Sequence, residues 1–315
     1  MADPRMHADE IPTDVPLVRR LLGAQFPQWA DLPIRPVRSA GSDNAIYRLG
    51  DDMAVRLPRR TGRSTESLDK EYLWLPRLAP LLPIAIPVPL AKGVPAEGYP
   101  CGWAVYRWLE GETATIERLA VARQAATDLA RFVTALQRID ATGGPSPGEH
   151  NYFRGVPLAT RDAAVRGAIA SLHSAIEVGA VTAAWEAALR APAWHGPPVW
   201  IHGDLYDGNL LAERGRLSAV IDFGGLGVGD PACDLIVAWS LLPTEAREVF
   251  RTALSVDDAT WARGRGWALS VALIALPYYW TTNPLRVASS WHRIGEVLAD
   301  YHGARSQSRR RGFGG

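Results

Sequence analysis

Hydrophobic positions along the chain change period near residue 110. Before it, short runs with apolar residues at every second place read as strands: 34–38 (IRPVR), 45–49 (AIYRL), 53–57 (MAVRL) and 103–108 (WAVYRW). Gly50-Asp51-Asp52 turns the second run into the third. Two short helices belong to this half. One is capped by Thr13 or Asp14, carries Leu17, Val18, Leu21 and Leu22 on one face and stops at Gly23. The other has Leu68, Tyr72 and Leu75 on one side. Prolines at 80, 83, 87, 89, 95 and 100 favour extended segments over helix. From Glu117 the period becomes helical, with Leu129, Phe132, Val133, Leu136 and Ile139 forming the stripe of a long core helix. Further helices are expected over 161–190 (split at Gly179), 232–242, 244–254, 257–281 and 285–302. Two apolar runs interrupt them, Val199-Trp200-Ile201 and Leu217 to Ile221, each short enough to be a buried strand.

This pattern predicts an α+β chain of two lobes, residues 1–109 mostly antiparallel strand and residues 110–302 mostly helix, with 303–315 as a disordered tail. The length of 315 residues agrees, because one core stops growing at about 250–300. A net charge of +1 gives no reason to expect nucleic acid or a membrane surface as partner. Two cysteines, Cys101 and Cys233, are too few for a disulfide scaffold or a tetrahedral cysteine metal site, and a reducing cytoplasm is the simplest home. The first residues have no apolar core, so no signal peptide is expected. The longest apolar stretch, Trp267 to Trp280, falls short of the ~20 residues of a membrane span. A monomer or weak dimer is expected.

The two short strands lead into the chemistry. His202-Gly203-Asp204 follows the first, Asn209 comes five residues after Asp204, and Asp222-Phe223-Gly224 ends the second. Phosphoryl transfer from a nucleotide asks for these groups. One carboxylate orients and deprotonates the attacking hydroxyl, while an amide and a second carboxylate hold the magnesium that bridges the phosphates. The pair of motifs, in order and at this spacing, resembles the kinase fold. With His-Gly-Asp in place of His-Arg-Asp, and with Gly229-Asp230-Pro231-Ala232 and Asp234 downstream, it is similar to the aminoglycoside and macrolide phosphotransferase family.

The resemblance implies a bilobal protein-kinase-like fold with Asp204 as catalytic base and Asn209 and Asp222 as magnesium ligands. It implies a loop over the phosphates at Ser39-Ala40-Gly41-Ser42-Asp43-Asn44, whose small side chains, Ser39, Gly41, Ser42 and Asn44 among them, let backbone N–H groups reach the nucleotide. Arg56 stands where the kinase pattern has lysine, with Glu71 to aim it. Residues 103–108 would run into the hinge that bonds the base, flanked by Tyr106 and Trp108. His202 and Asp234 are implied to be structural. Asp207, Asp230, Glu110 and Glu112, with Trp239, Trp267, Tyr278, Tyr279, Trp280, Asn283 and Trp291, could form an acidic, aromatic acceptor cleft. The expected partners are ATP or GTP and a hydroxylated small molecule, an antibiotic-like natural product or a small metabolite. A non-catalytic nucleotide-binding relative is the rival that Arg56 supports. A protein kinase is disfavoured because Asp230-Pro231 follows the second motif too closely for an activation loop.

Overall fold

The computed structural model describes residues 10–37, 43–61 and 64–312, with backbone alone for 64, 65 and 305–312. Ser39, Gly41 and Ser42 of the expected phosphate loop lie outside the described residues.

The chain begins with helix α1 (Val15–Gln25), whose first turn is capped by Asp14 Oδ1 accepting from the Leu17 amide at 2.8 Å. Gly23 sits inside the last turn and does not end it. Five strands follow, β1 (Ile34–Val37), β2 (Asn44–Leu49), β3 (Met53–Pro58), β4 (Pro89–Gly93) and β5 (Trp103–Arg107), in an antiparallel sheet of order β1-β2-β3-β5-β4. Along β3 burial alternates, with Met53, Val55 and Leu57 packed towards α1, so Ala54, Arg56 and Pro58 face the other way. That alternation, set by the period of two, is what turns Arg56 towards the rest of the molecule.

Helix α2 (Ser64–Leu78) covers that second face. Its inner stripe is Leu68, Glu71, Leu75 and Leu78, spaced by three and four residues. Tyr72, expected on this side, is 44% exposed instead, because the stripe passes through Glu71. A carboxylate has thereby taken a core position, and burial obliges it to find partners.

The remaining elements are β6 (Glu112–Thr113), α3 (Ala122–Arg138), α4 (Asp162–Ser171), α5 (Val178–Leu189), β7 (Val199–Ile201), β8 (Leu210–Glu213), β9 (Arg216–Val220), β10 (Gly227–Gly229), α6 (Val237–Ser240), α7 (Thr244–Leu254), α8 (Asp258–Tyr279) and α9 (Pro284–Gly312). The expected stripe of α3 is fully buried at Leu129, Phe132, Val133 and Leu136. Residues 231–236, read as helix, are a run of tight 3-10 turns that Asp230 begins by accepting from the Ala232 amide. Helix α9 continues to Gly312, past the expected end at 302, since after Gly303 the chain holds no proline to stop it. β7 pairs with β10, and β8 with β9 and β6, so the two motif loops leave short, anchored strands. The largest cluster of buried side chains gathers α3, α8 and these strands and extends to Leu68, Ala104 and Tyr106; a second lies between α1 and the sheet.

Candidate active site

β7 delivers His202-Gly203-Asp204 and β9 delivers Asp222 to the floor of one cleft. Backbone and side-chain bonds tie the loops together. The Ile221 amide donates to the Asn209 carbonyl at 2.9 Å. His202 Nε2 lies 3.0 Å from the Ile221 carbonyl, and the Asp204 amide donates to His202 Nδ1 at 3.2 Å, which assigns the proton to Nε2. Both oxygens of Asp234 accept backbone amides, from His202 and Gly203, at 2.8 Å each. Asp234 is fully buried, and that burial raises its carboxyl above the usual carboxylate range.

Gly203 explains the His-Gly-Asp spelling. Its φ of +81° is left-handed, and a Cβ there would sit 2.2 Å from the Gly225 carbonyl oxygen. The first loop therefore crosses the second backbone to backbone. Asp222 is itself left-handed at φ 62°, a strain of about 1–3 kcal/mol in a residue that is not glycine. The surrounding bonds hold it there.

Asp204 Oδ1 accepts from Arg154 Nη2 at 3.3 Å, and Oδ2 from Asn209 Nδ2 at 3.3 Å. Asn209 Nδ2 also donates to the Asp204 carbonyl at 2.9 Å. The amide nitrogen being so engaged, Asn209 Oδ1 is the atom left for a hard cation. Together with the Asp222 carboxylate, 39% exposed to the cleft, it makes an all-oxygen donor pair of the kind magnesium takes alongside phosphate oxygens. The residues fit the metal.

Across the cleft, Arg56 Nη1 donates to Glu71 Oε2 at 2.7 Å, and its Nη2 lies 3.5 Å from Asp222 Oδ1. Tyr106 Oη donates to the same Glu71 oxygen at 2.8 Å, and Ser67 reaches the other at 3.4 Å. Burial works against the Arg56 charge, but Glu71 at close range, with Asp222 and Asp43 added to it, holds the guanidinium above its ordinary pKa. Arg56 is thus a cation fixed between α2 and Asp222. Tyr106, expected to flank a base, lines the cleft and at the same time braces that pair from the core. Trp108 lies half-buried under Arg48, whose guanidinium carbon is 4.3 Å from the ring centroid, and its amide donates to Asp52. Asn44 lines the cleft.

Residues 148–155 reach the site at three points. His150 meets Lys70 of α2, Tyr152 Oη donates to Asp43 Oδ2 at 3.1 Å, and Arg154 reaches Asp204. Lys70 Nζ donates to the carbonyls of Gly224 at 2.8 Å and His150 at 3.2 Å, pinning α2 to the loop after Asp222. Burial brings the Lys70 pKa from 10.5 down to about 8. Between those two values the unfolded chain holds a proton that the folded one has lost, so stability gains as pH rises through this window. The melting temperature of the wild type relative to Lys70→Met should therefore climb from pH 8 to pH 10. Parallel melting curves across that range would show that Lys70 is not strained by its burial.

The sequence profile of the phosphotransferase enzyme family matches residues 34–267. The chain belongs to that family. No curated protein sequence matches this phosphotransferase. Among solved structures it is similar to the GDP complex of wild-type aminoglycoside 2'-phosphotransferase-IIIa (16% identity, 92% of this chain and 100% of that one, TM-score 0.69). It is similar also to the GDP and kanamycin complex of APH(2")-IIia (19%, 90% and 98%, TM-score 0.70). A third is macrolide 2'-phosphotransferase MphH from Brachybacterium faecium (23%, 91% and 98%, TM-score 0.60). The phosphotransferase shares with them the bilobal, kinase-like α+β fold. Among its described residues, no helix is long and apolar enough to cross a membrane.

The acidic acceptor cleft does not form. Asp230 is buried in a two-point ion pair with Arg263 (2.8 and 3.3 Å). Asp207 faces Arg293 at 3.9 Å, and its amide donates to Ser240 Oγ at 3.1 Å. Glu110 pairs with Arg48 and Glu112 with Arg118. Trp239 is fully buried, 4.8 Å from the Trp261 ring, because the turns after Pro231 carry it through the core. Trp267 is likewise fully buried. Trp280 is half exposed and packs on Trp291, away from the cleft lining. Of the aromatic set, Tyr278 and Tyr279 line the cleft, joined there by Arg286.

Proposed function

We propose that this phosphotransferase moves the γ-phosphate of ATP or GTP to a hydroxyl of an antibiotic-like natural product, a transfer that would inactivate the compound and confer resistance. One observation carries the reading: Asp204, held by Arg154 and Asn209, shares a cleft of about 640 Å³ with the Arg56–Glu71–Asp222 chain of charges. The relatives of like fold that act on aminoglycosides and macrolides support the class of acceptor.

In this mechanism the acceptor hydroxyl lies against Asp204, whose two oxygens are each held by one long hydrogen bond and so keep lone pairs for its proton. The hydroxyl oxygen attacks the γ-phosphorus as Asp204 takes the proton, and the bond to the β,γ-bridging oxygen breaks to release the nucleoside diphosphate. Arg56 meets the phosphates by turning its Nη2 arm from Asp222, the weaker of its two contacts, while Nη1 stays on Glu71. When bound, magnesium would be held by Asn209 Oδ1 and Asp222 and would offset phosphate charge. With the Trp108 amide engaged, recognition of the base falls to the neighbouring backbone.

Nucleoside diphosphate release measured over aminoglycosides, macrolides, peptide and nucleoside antibiotics tests the reading. Stimulation by one class above the rate without acceptor is expected. Nucleotide binding with no stimulation by any class would replace it with a kinase of a small primary metabolite, the second reading, which the arginines of the acceptor side favour. A magnesium titration at fixed nucleotide separates the two ligands. Asp222→Ala should shift half-saturation further than Asn209→Ala, a full charge being worth more than a dipole to a hard cation. Equal shifts would contradict the assignment.

A further inference from the structure

The charges on the acceptor side of the cleft point to the kind of molecule that enters it. With the nucleotide assigned to Arg56 and Asp222, the same cleft is also lined by Tyr152 and Arg154, by Val271, Ala275, Tyr278 and Tyr279 from the end of α8, and by Arg286 from the start of α9. Of the carboxylates nearest these residues, Asp204 already has Arg154 against it, and Asp43 is taken up by the Tyr152 hydroxyl at 3.1 Å and by Arg60 at 3.9 Å. Arg286 is half-buried, with its guanidinium carbon 5.0 Å from the Tyr206 ring centroid. None of the carboxylates among the described residues lies within ion-pair distance of it; burial works against its charge, but the combined pull of its neighbours, Asp204 and Asp222 among them, holds its pKa above the ordinary value. Behind this wall the Trp267 ring is flanked by Arg154 at 5.8 Å and Arg161 at 5.0 Å. Burial first, and the nearby Arg154 charge second, bring the Arg161 pKa down to about 10, so it too is a cation at neutral pH.

A polycationic acceptor would meet guanidinium groups here and find no spare carboxylate. A half-desolvated arginine stacked on an aromatic ring, with its fork unpaired, is instead a receptor for a carboxylate or phosphate group. We infer that the acceptor carries such an anionic group near the hydroxyl that is phosphorylated, and that Arg286 seats it, with the apolar remainder against Val271, Ala275 and the two tyrosines. The inference rests on the phosphotransferase reading of Asp204. It selects against polycations through like-charge repulsion, so part of the specificity is exclusion.

The test takes the full chain with magnesium and a non-hydrolysable ATP analogue bound, and titrates it with gluconate, methyl glucoside and kanamycin, reading thermal melting. Gluconate should stabilise the wild type, its apparent affinity should fall about tenfold in Arg286→Gln, in keeping with one lost charge-assisted contact, and kanamycin should leave both unchanged. Kanamycin stabilising more than gluconate, gluconate acting equally on both proteins, or no response to gluconate at all would each overturn the inference. The analogue alone separates this from the underlying reading. If it fails to stabilise the wild type, the phosphotransferase site itself is wrong. If it stabilises the wild type but not Arg286→Gln, the arginine belongs to the triphosphate and the inference alone fails.

Discussion

Asp204→Asn should lower kcat by at least ~10² while nucleotide affinity stays close to wild type. The substitution removes the basic oxygen at nearly constant volume. Nothing that Asp204 touches, Arg154 on one side and Asn209 on the other, belongs to the Arg56–Glu71 pair across the cleft. Both neighbours are hydrogen-bond donors, so an asparagine must point its own amide nitrogen at one of them. A modest fall in melting temperature should accompany the kinetic loss, and it serves to confirm that the side chain remains between the two donors. A variant that keeps most of its kcat would remove Asp204 from the role of base, however well it folds.

Arg56→Ala should raise the nucleotide KM and lower kcat together, because a phosphate contact counts in both the ground and the transition state. It should also destabilise the protein. Glu71 is buried at 1% exposure, and without Arg56 only Tyr106 and Ser67 would hold its carboxylate. Breaking a buried pair from one side typically costs about 3–5 kcal/mol, and the 19% exposure of Arg56 places the expected loss towards the lower end. Glu71→Ala should give a milder kinetic defect. The double variant should fall short of the sum of the two, since it leaves neither charge uncompensated. Arg56→Lys should recover part of the activity through its point charge, but not the two-armed contact with Glu71 and Asp222. Three variants all near wild type would reduce Arg56 to a bystander. Large but additive effects would keep both residues and break their pairing.

The placing of Asp204 and Asp222 in one cleft, with Asn209 bonded to Asp204, is legible in the sequence because the three stand at fixed spacing on loops beside short strands, where local geometry decides direction. Arg56 is legible for a similar reason, since the period of two in β3 fixes its face. Arg154, Lys70 and Arg286 are not legible. Arg154 meets Asp204 across 50 residues of chain, and Lys70 meets Gly224 across 154, distances at which no periodicity speaks. Asp230 and Trp239 mislead in the opposite way. A charged or aromatic residue beside a motif suggests a ligand, yet the same residue types cap turns and fill cores. Only the Arg263 pair and the Trp261 ring reveal which task they have taken. The Ser39 to Ser42 part of the phosphate loop remains an expectation, resting on its small side chains.

The contact between Gly203 and the Gly225 carbonyl sets a limit on how this protein can be altered. With 2.2 Å available, even a methyl group would push the strand of chain bearing Asp222 away from the one bearing Asp204, so the position is closed to drift and to design alike. Variation in what the enzyme accepts must then come from elsewhere. Libraries aimed at new acceptors belong at Tyr152, Val271, Tyr278 and Arg286, which reach the cleft without carrying either motif loop. The two glycines act as a hinge pin: the tolerance of the outer wall depends on their never changing.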